Sequence, residues 1–160
     1  MSILYTVSYT GAVTTSGGNA DLLELTPADD APIRLRRVSI GFTSETGDTA
    51  EEQVSISVIY LPATVTSSNG TAVTPRPNDP RLPAALFAAE ANGATVATTS
   101  GTALTIGEYN VNVRQRDELY FGDEPMLQPT ARQGTAIVVR NNSTLADDAT
   151  ITITAEVWED

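Results

Sequence analysis

The side chains able to do chemistry in this sequence are carboxylates, hydroxyls and guanidinium groups. The chain has 160 residues, with 9 basic and 20 acidic side chains and a formal net charge of -11. All nine basic residues are arginine: Arg34, Arg36, Arg37, Arg76, Arg81, Arg114, Arg116, Arg132 and Arg140. There is no lysine, histidine or cysteine. Without those three, no imidazole base, thiolate nucleophile, Schiff-base lysine or His/Cys metal site can be built.

The acidic pairs Asp29-Asp30, Glu51-Glu52, Asp123-Glu124 and Asp147-Asp148 are the only material for a glycosidase dyad or a calcium site. A glycoside-cleaving pair needs carboxyl groups about 5 to 9 Å apart, whereas adjacent residues of a strand point to opposite faces. No Asp-x-Asp-x-Asp-Gly loop is present to hold calcium. All four pairs sit at loop ends, where they read as turn formers and strand-edge charges. Three matches to the glycosylation pattern, at Asn69, Asn141 and Asn142, arise readily by chance in a threonine-rich chain. Gly17-Gly18, Gly93 and Gly101 lack a following helix, so no phosphate-binding loop or serine elbow is formed. The sequence therefore predicts no enzyme, no catalytic residue, no cofactor and no metal ligand.

What remains is binding. Arg34, Arg36 and Arg37, and separately Arg76 and Arg81, can make bidentate pairs with carboxylates of a neighbouring subunit or with the chain's own acids. Trp158 is placed among outward threonines of the last strand, where it can anchor an interface, stack on a sugar or cover a core edge. Arg76, Pro77, Arg81 and Trp158 are the candidate interface residues. The acidic balance repels phosphate backbones and anionic lipid, so neither nucleic acid nor a membrane is an expected partner.

The elements that position these residues are strands. Ile3 to Thr10 puts Ile3, Tyr5, Val7 and Tyr9 on one face, and Ala20 to Leu25 ends in the turn Thr26 to Asp30. In Ile33 to Phe42 the apolar positions are odd up to Leu35 and even from Val38. One extra residue near Arg36-Arg37 is needed, as a β-bulge or a bend between sheets. Val54 to Tyr60 is a strand after the polar loop Thr43 to Asp48. Ala103 to Ile106, Tyr109 to Arg114 and Glu118 to Phe121 follow later. Asp123 to Gly134 is a loop. Ala136 to Val139 is apolar throughout, as in a central strand covered on both faces. In the last strand Ile151, Ile153, Ala155 and Val157 face in.

The segment 61–102 differs in character. It holds five prolines and the pairs Asn69-Gly70 and Asn92-Gly93. It reads as a long insertion or arm, with Thr74 to Pro83 extended by its prolines and Ala84 to Ala91 as a two-turn helix. The Asn-Gly pair could instead close a hairpin of Ala63–Thr66 with Thr71–Thr74. Removing Thr74 to Pro83 is then expected to leave the sandwich folded. Ala28-Asp29-Asp30-Ala31 recurs as Ala146-Asp147-Asp148-Ala149, each before a strand.

This pattern predicts a single all-β domain over residues 1–160, an antiparallel β-sandwich of eight to ten short strands, with a jelly roll as the expected form. The start Met-Ser-Ile-Leu-Tyr-Thr has no basic n-region or apolar h-region, and no apolar run approaches the roughly 18 residues of a membrane helix. Synthesis and folding in a cytosol are expected.

The chain resembles the small acidic jelly-roll decoration, or cement, proteins of tailed-bacteriophage capsids. The resemblance is carried by Ile3-Leu-Tyr-Thr-Val-Ser-Tyr9, Leu25-Thr-Pro-Ala-Asp-Asp-Ala-Pro-Ile-Arg-Leu35, Thr74-Pro-Arg-Pro-Asn-Asp-Pro80 and Ala136-Ile-Val-Val-Arg140 before an alternating strand. It implies a virion protein made in the host cytoplasm. Such a protein forms trimers or other small oligomers that sit on the outer surface between major capsid protein subunits, with an extended arm on the capsid. No catalytic residues come with it. A carbohydrate- or receptor-binding module uses the same sandwich, and a paired-carboxylate hydrolase is the remaining competitor.

Overall fold

Alternation of apolar with hydroxyl-bearing residues produces strands along nearly the whole chain. A computed structural model describes residues 2–13, 19–44, 53–145 and 149–160. The turn at Gly17-Gly18, most of the loop 43–48, the pairs Glu51-Glu52 and Asp147-Asp148, and hence the second Ala-Asp-Asp-Ala copy, lie outside the described residues. In chain order the strands are β1 (Ile3–Ala12), β2 (Ala20–Thr26), β3 (Ile33–Ser44), β4 (Gln53–Leu61), β5 (Val65–Thr66), β6 (Thr71–Val73) and β7 (Arg76–Pro77). They continue with β8 (Ala88–Ala91), β9 (Thr98–Thr99), β10 (Leu104–Asn112), β11 (Arg116–Tyr120), β12 (Thr130–Ala131), β13 (Ala136–Asn141) and β14 (Ala149–Glu159).

Two antiparallel sheets pack face to face as a sandwich. The front sheet has the order β11-β3-β14-β1-β7, with β12 also on β3, and the back sheet runs β10-β4-β13-β2-β8-β6. Period two assigns the faces. Tyr5 and Val7 of β1, Ile151, Ile153, Ala155 and Val157 of β14, and Leu35, Val38 and Ile40 of β3 fill the core against Leu23 and Leu25 of β2, Val54, Ile56 and Val58 of β4 and Ile137 and Val139 of β13. Phe87 meets Tyr5 edge-on, with ring centroids 5.7 Å apart. The phase change in β3 is a bulge. Glu156 of β14 lies opposite Arg37 and Val157 opposite Leu35, which leaves Arg36 as the extra residue.

The segment after β4 departs from the expected arm. It folds back onto its own sandwich and serves both sheets. β7 pairs with β1, placing Arg76 opposite Thr6 and Pro77 opposite Tyr5. β8 pairs with β2 on one side and β6 on the other. Ala84–Ala91 is therefore not a helix: Ala88–Ala91 is strand, with Phe87, Ala89 and Ala91 buried. Two turns of alanine-rich helix are marginal in isolation, and the open edge of β2 offers ladder hydrogen bonds plus burial, which outweigh helix propensity. The hairpin of 63–66 with 71–74 is also absent, since β5 pairs with β9 and β6 with β8. The segments 103–106 and 109–114 are mostly one strand, β10, with a bulge between Thr105 and Gly107.

This fold-back covers the outer face of the back sheet. Ile59, Leu61, Ala136 and Val138 form a second small core there with Ala97 of the insertion, and Val65 packs against it. That explains why β13 is apolar on both faces. Polar bonds hold the cover down. Asp21, 1% exposed, accepts from Arg140 Nε at 2.5 Å and from the Ala97 amide at 2.5 Å. Glu24, 2% exposed, accepts from the amide and hydroxyl of Ser68 at 2.8 and 2.7 Å. Glu90, opposite Glu24 in the ladder, accepts from Ser67 Oγ at 2.5 Å and Gly70 N at 3.2 Å.

The Thr74 to Pro83 stretch is equally integrated. Tyr5 donates its hydroxyl to Pro83 O at 3.1 Å and Thr6 donates to Asn78 Oδ1 at 2.8 Å. Excising it would strip β1 of a neighbour and uncover Tyr5, so the expectation of an undisturbed sandwich does not survive these contacts.

Candidate interface on the front sheet

The outward face of the front sheet collects most of the chain's cationic side chains. Register sets its rows. Leu4, Trp158 and Arg34 lie side by side across β1, β14 and β3. The next row is Arg76, Thr6, Glu156, Arg37 and Tyr120, running from β7 to β11. Beyond it come hydroxyl rows, with Ser8 within 3.1 Å of Thr154 and Thr10 within 3.1 Å of Thr152. Arg116 donates to Ser39 at 2.5 Å on the same face.

The bulge gives this face its chemistry. By inserting Arg36 it brings two consecutive guanidinium groups to one side, and both Arg36 and Arg37 donate to the Glu156 carboxylate. Arg36 also binds Asp123 at 2.8 Å and lies 5.6 Å from the centre of the Tyr120 ring. Arg34 grips both oxygens of Asp160 at 2.6 and 2.7 Å and donates to Gln128 at 2.9 Å. Bidentate arginine–carboxylate geometry of this kind is the strong form of ion pair.

The charge balance sets this surface apart. Five of the nine arginines (Arg34, Arg36, Arg37, Arg76, Arg116) stand here with the carboxylates of Glu118, Asp123, Glu156 and Asp160. Even counting Asp117 and Glu124 at the margin, the face is nearly neutral, while the remaining four arginines stand, among the described residues, against eight other carboxylates, in a chain whose formal net charge is -11.

An apolar tip adjoins it. The loop from β11 to β12 is strapped to the arginines: Asp123 takes Arg36, and Gln128 accepts from Arg34 while donating to Gly122 O at 2.7 Å. Its 3-10 turn Pro125–Leu127 carries Met126, 97% exposed, and Leu127, 68% exposed, and Tyr120 beside it is 51% exposed. Trp158, half-buried, lines a hollow of about 270 Å³ with Ser2, Arg34, Asp123 and Pro125.

The candidate interface residues are thus divided. Arg76 and Trp158 share this face, Pro77 lies opposite the inward Tyr5, and Arg81 makes a local pair with Asp79 at 2.6 Å in the turn that follows β7. Asp29 and Asp30 occupy a turn bridged from Ala28 to Ala31, with Asp30 at φ 58°. The amide of Asn141 donates to Ser143 O and that of Asn142 to Ser57. Met126, Leu127 and Tyr120 are the site residues that sequence reading missed. The available signal was an apolar Met-Leu pair inside a proline-flanked loop.

Two carboxyls on this face are shifted. The Tyr120 hydroxyl, followed by Arg36, holds Asp123 below the ordinary value of 3.8, and hydrogen bonding to Arg34 does the same to Asp160. A carboxyl depressed in the folded state contributes stability that is present above its ordinary value and lost as pH falls through the folded value. Stability should therefore fall in acid, below about pH 4. Asp160→Asn should remove part of that slope, read as the urea midpoint against pH.

No family model matches the chain, and no curated protein matches it in sequence. Similar solved structures include chains of infectious bursal disease virus, Gx and Gt strains, at 13% and 12% identity. The alignments cover 99% of this chain in both cases, 42% and 40% of theirs, with TM-scores of 0.21 and 0.17. This chain spans less than half the length of those chains, and similarity so low transfers neither fold nor function.

Proposed function

We propose that this chain is a structural virion protein that decorates a bacteriophage capsid, binding on the outer surface between major capsid protein subunits as a homotrimer. The observation that carries the reading is the near-neutral, arginine-bearing, apolar-tipped face in a chain of formal net charge -11. Such a surface can approach another protein without charge repulsion, while the acidic remainder keeps the particle exterior soluble. Depletion of unpaired charge, with aromatic, methionine and arginine residues, is the composition of an interface core.

The same reading takes the sandwich to be a jelly roll, an architecture used by viral capsid and lectin domains. Supporting it, the eight strands of five or more residues among the described residues pair as a rolled-up hairpin: β1 with β14, β2 with β13, β3 with β11 and β4 with β10.

A carbohydrate- or receptor-binding module is the second reading, favoured by Trp158 and Arg34 lining one hollow with Ser2 and Asp123. Two measurements separate the readings. Purified chain, trimeric by light scattering, should co-sediment saturably with particles of the encoding virus that lack it, and should raise the temperature at which they release their genome. Saturable binding on a glycan array without particle binding would replace the first reading by the second.

A further inference from the structure

We propose that Asn69 is a site of spontaneous succinimide formation and deamidation, and that the fold exempts the other Asn-Gly pair at Asn92. Both asparagines hold the same left-handed backbone, φ 53°. Both glycines are required by packing. A Cβ on Gly70 would meet Ala91 O at 2.7 Å, and one on Gly93 would meet Ser68 Cβ at 2.6 Å, so the two turns interlock. Glycine after asparagine is therefore fixed at both positions by sterics, and it leaves the following amide nitrogen unshielded. The two sites differ only in what their reacting groups do.

At Asn92 both groups are engaged. Its carboxamide donates to Ala12 O at 2.5 Å and toward Tyr9 Oη at 3.5 Å. The Gly93 amide donates to Asp21 O at 2.7 Å, and Gly93 is buried. Neither the electrophile nor the nucleophile can turn toward the other without breaking these bonds. At Asn69 the side chain is exposed and its carboxamide makes no hydrogen bond among the described residues. The Gly70 N–H also donates a hydrogen bond, but a longer one, to the Glu90 carboxylate 3.2 Å away. A carboxylate is a base able to take the proton that must leave the amide nitrogen, whereas the Asp21 backbone carbonyl facing the Gly93 N–H is not.

The step balances without any oxidant or cofactor. The Gly70 nitrogen, losing its proton, attacks Asn69 Cγ; the Cγ–Nδ2 bond breaks and ammonia leaves with that proton. Water then opens the five-membered imide at either carbonyl, giving aspartate or isoaspartate at position 69. The product adds a negative charge to a turn whose Ser67, Ser68 and Gly70 donors already serve Glu24 and Glu90. It should loosen the cover over the back sheet.

The test is incubation of the full chain at mildly alkaline pH, natively and in urea, with peptide-resolved mass spectrometry. In native buffer the mass gain of OH for NH2 should accumulate at position 69 about tenfold or more faster than at position 92. In urea the two rates should converge. Asn69→Gln should abolish the fast native phase. Equal native rates, faster conversion at 92, protection of 69 relative to urea, or a fast phase surviving in Asn69→Gln would each overturn the proposal.

Discussion

Replacing Arg140 by alanine should lower the unfolding free energy by about 3 to 5 kcal/mol, the cost of stranding a buried charge. Asp21 is 1% exposed, and Arg140 contacts it twice, Nε at 2.5 Å and Nη2 at 3.1 Å. The same Nη2 donates to Ala97 O at 2.9 Å, while the Ala97 amide donates to Asp21. Removing the guanidinium leaves the carboxylate with one backbone donor under an apolar lid. It also frees the segment that roofs Ile59, Leu61, Ala136 and Val138. The check is urea unfolding of Arg140→Ala beside an Asp21→Leu/Arg140→Met double variant. The double should recover much of the loss, because apolar groups of similar size can replace a buried pair. A single-variant loss below about 1 kcal/mol, the range of an exposed ion pair, would mean that water reaches Asp21.

The second large effect is on binding. Under the proposed capsid-binding role, Met126→Asp should weaken particle association by about thirtyfold or more, the roughly 2 kcal/mol of an interface hot spot. It should leave unfolding unchanged, because a side chain 97% exposed contributes almost nothing to the fold. That separation makes the result informative: loss of binding with an unaltered urea curve places the contact at the tip of the β11–β12 loop. Trp158→Ala should also weaken association, but with some loss of stability, since Trp158 is half-buried between Leu4 and Arg34. If Met126→Asp binds normally, the apolar tip is not the contact and the proposed face must be redrawn.

Much of the sandwich was readable because its signal is local. Threonine alternating with isoleucine in β14 assigns both faces by period two, and the odd-to-even slip around Arg36 announces a bulge before any partner strand is known. Ala136 to Val139, apolar at every position, marked a strand covered on both sides. What covered its second face was not readable. Ala84 to Ala91 has good helix formers, and only the free edge of β2 makes it extended. Asp21 and Glu24 look like ordinary outward charges of a half-wet strand. Only the returning chain turns them into buried acceptors.

The candidate interface divides the same way. Missing lysine, histidine and cysteine removed whole classes of chemistry, and no fold could restore them. The inward-facing residues of each strand also follow from the residue order alone, because side-chain alternation is a property of a single strand's backbone. That Arg36 and Arg37 share Glu156, 120 and 119 positions away, and that Arg76 joins their face through β7, follows from strand pairing across the sandwich. Such pairings depend on which sheet edges stay open once the nearer strands have paired, and on closing loops of a hundred residues or more. The free-energy cost of closure grows only slowly with loop length, so separation along the chain hardly restricts which partners meet.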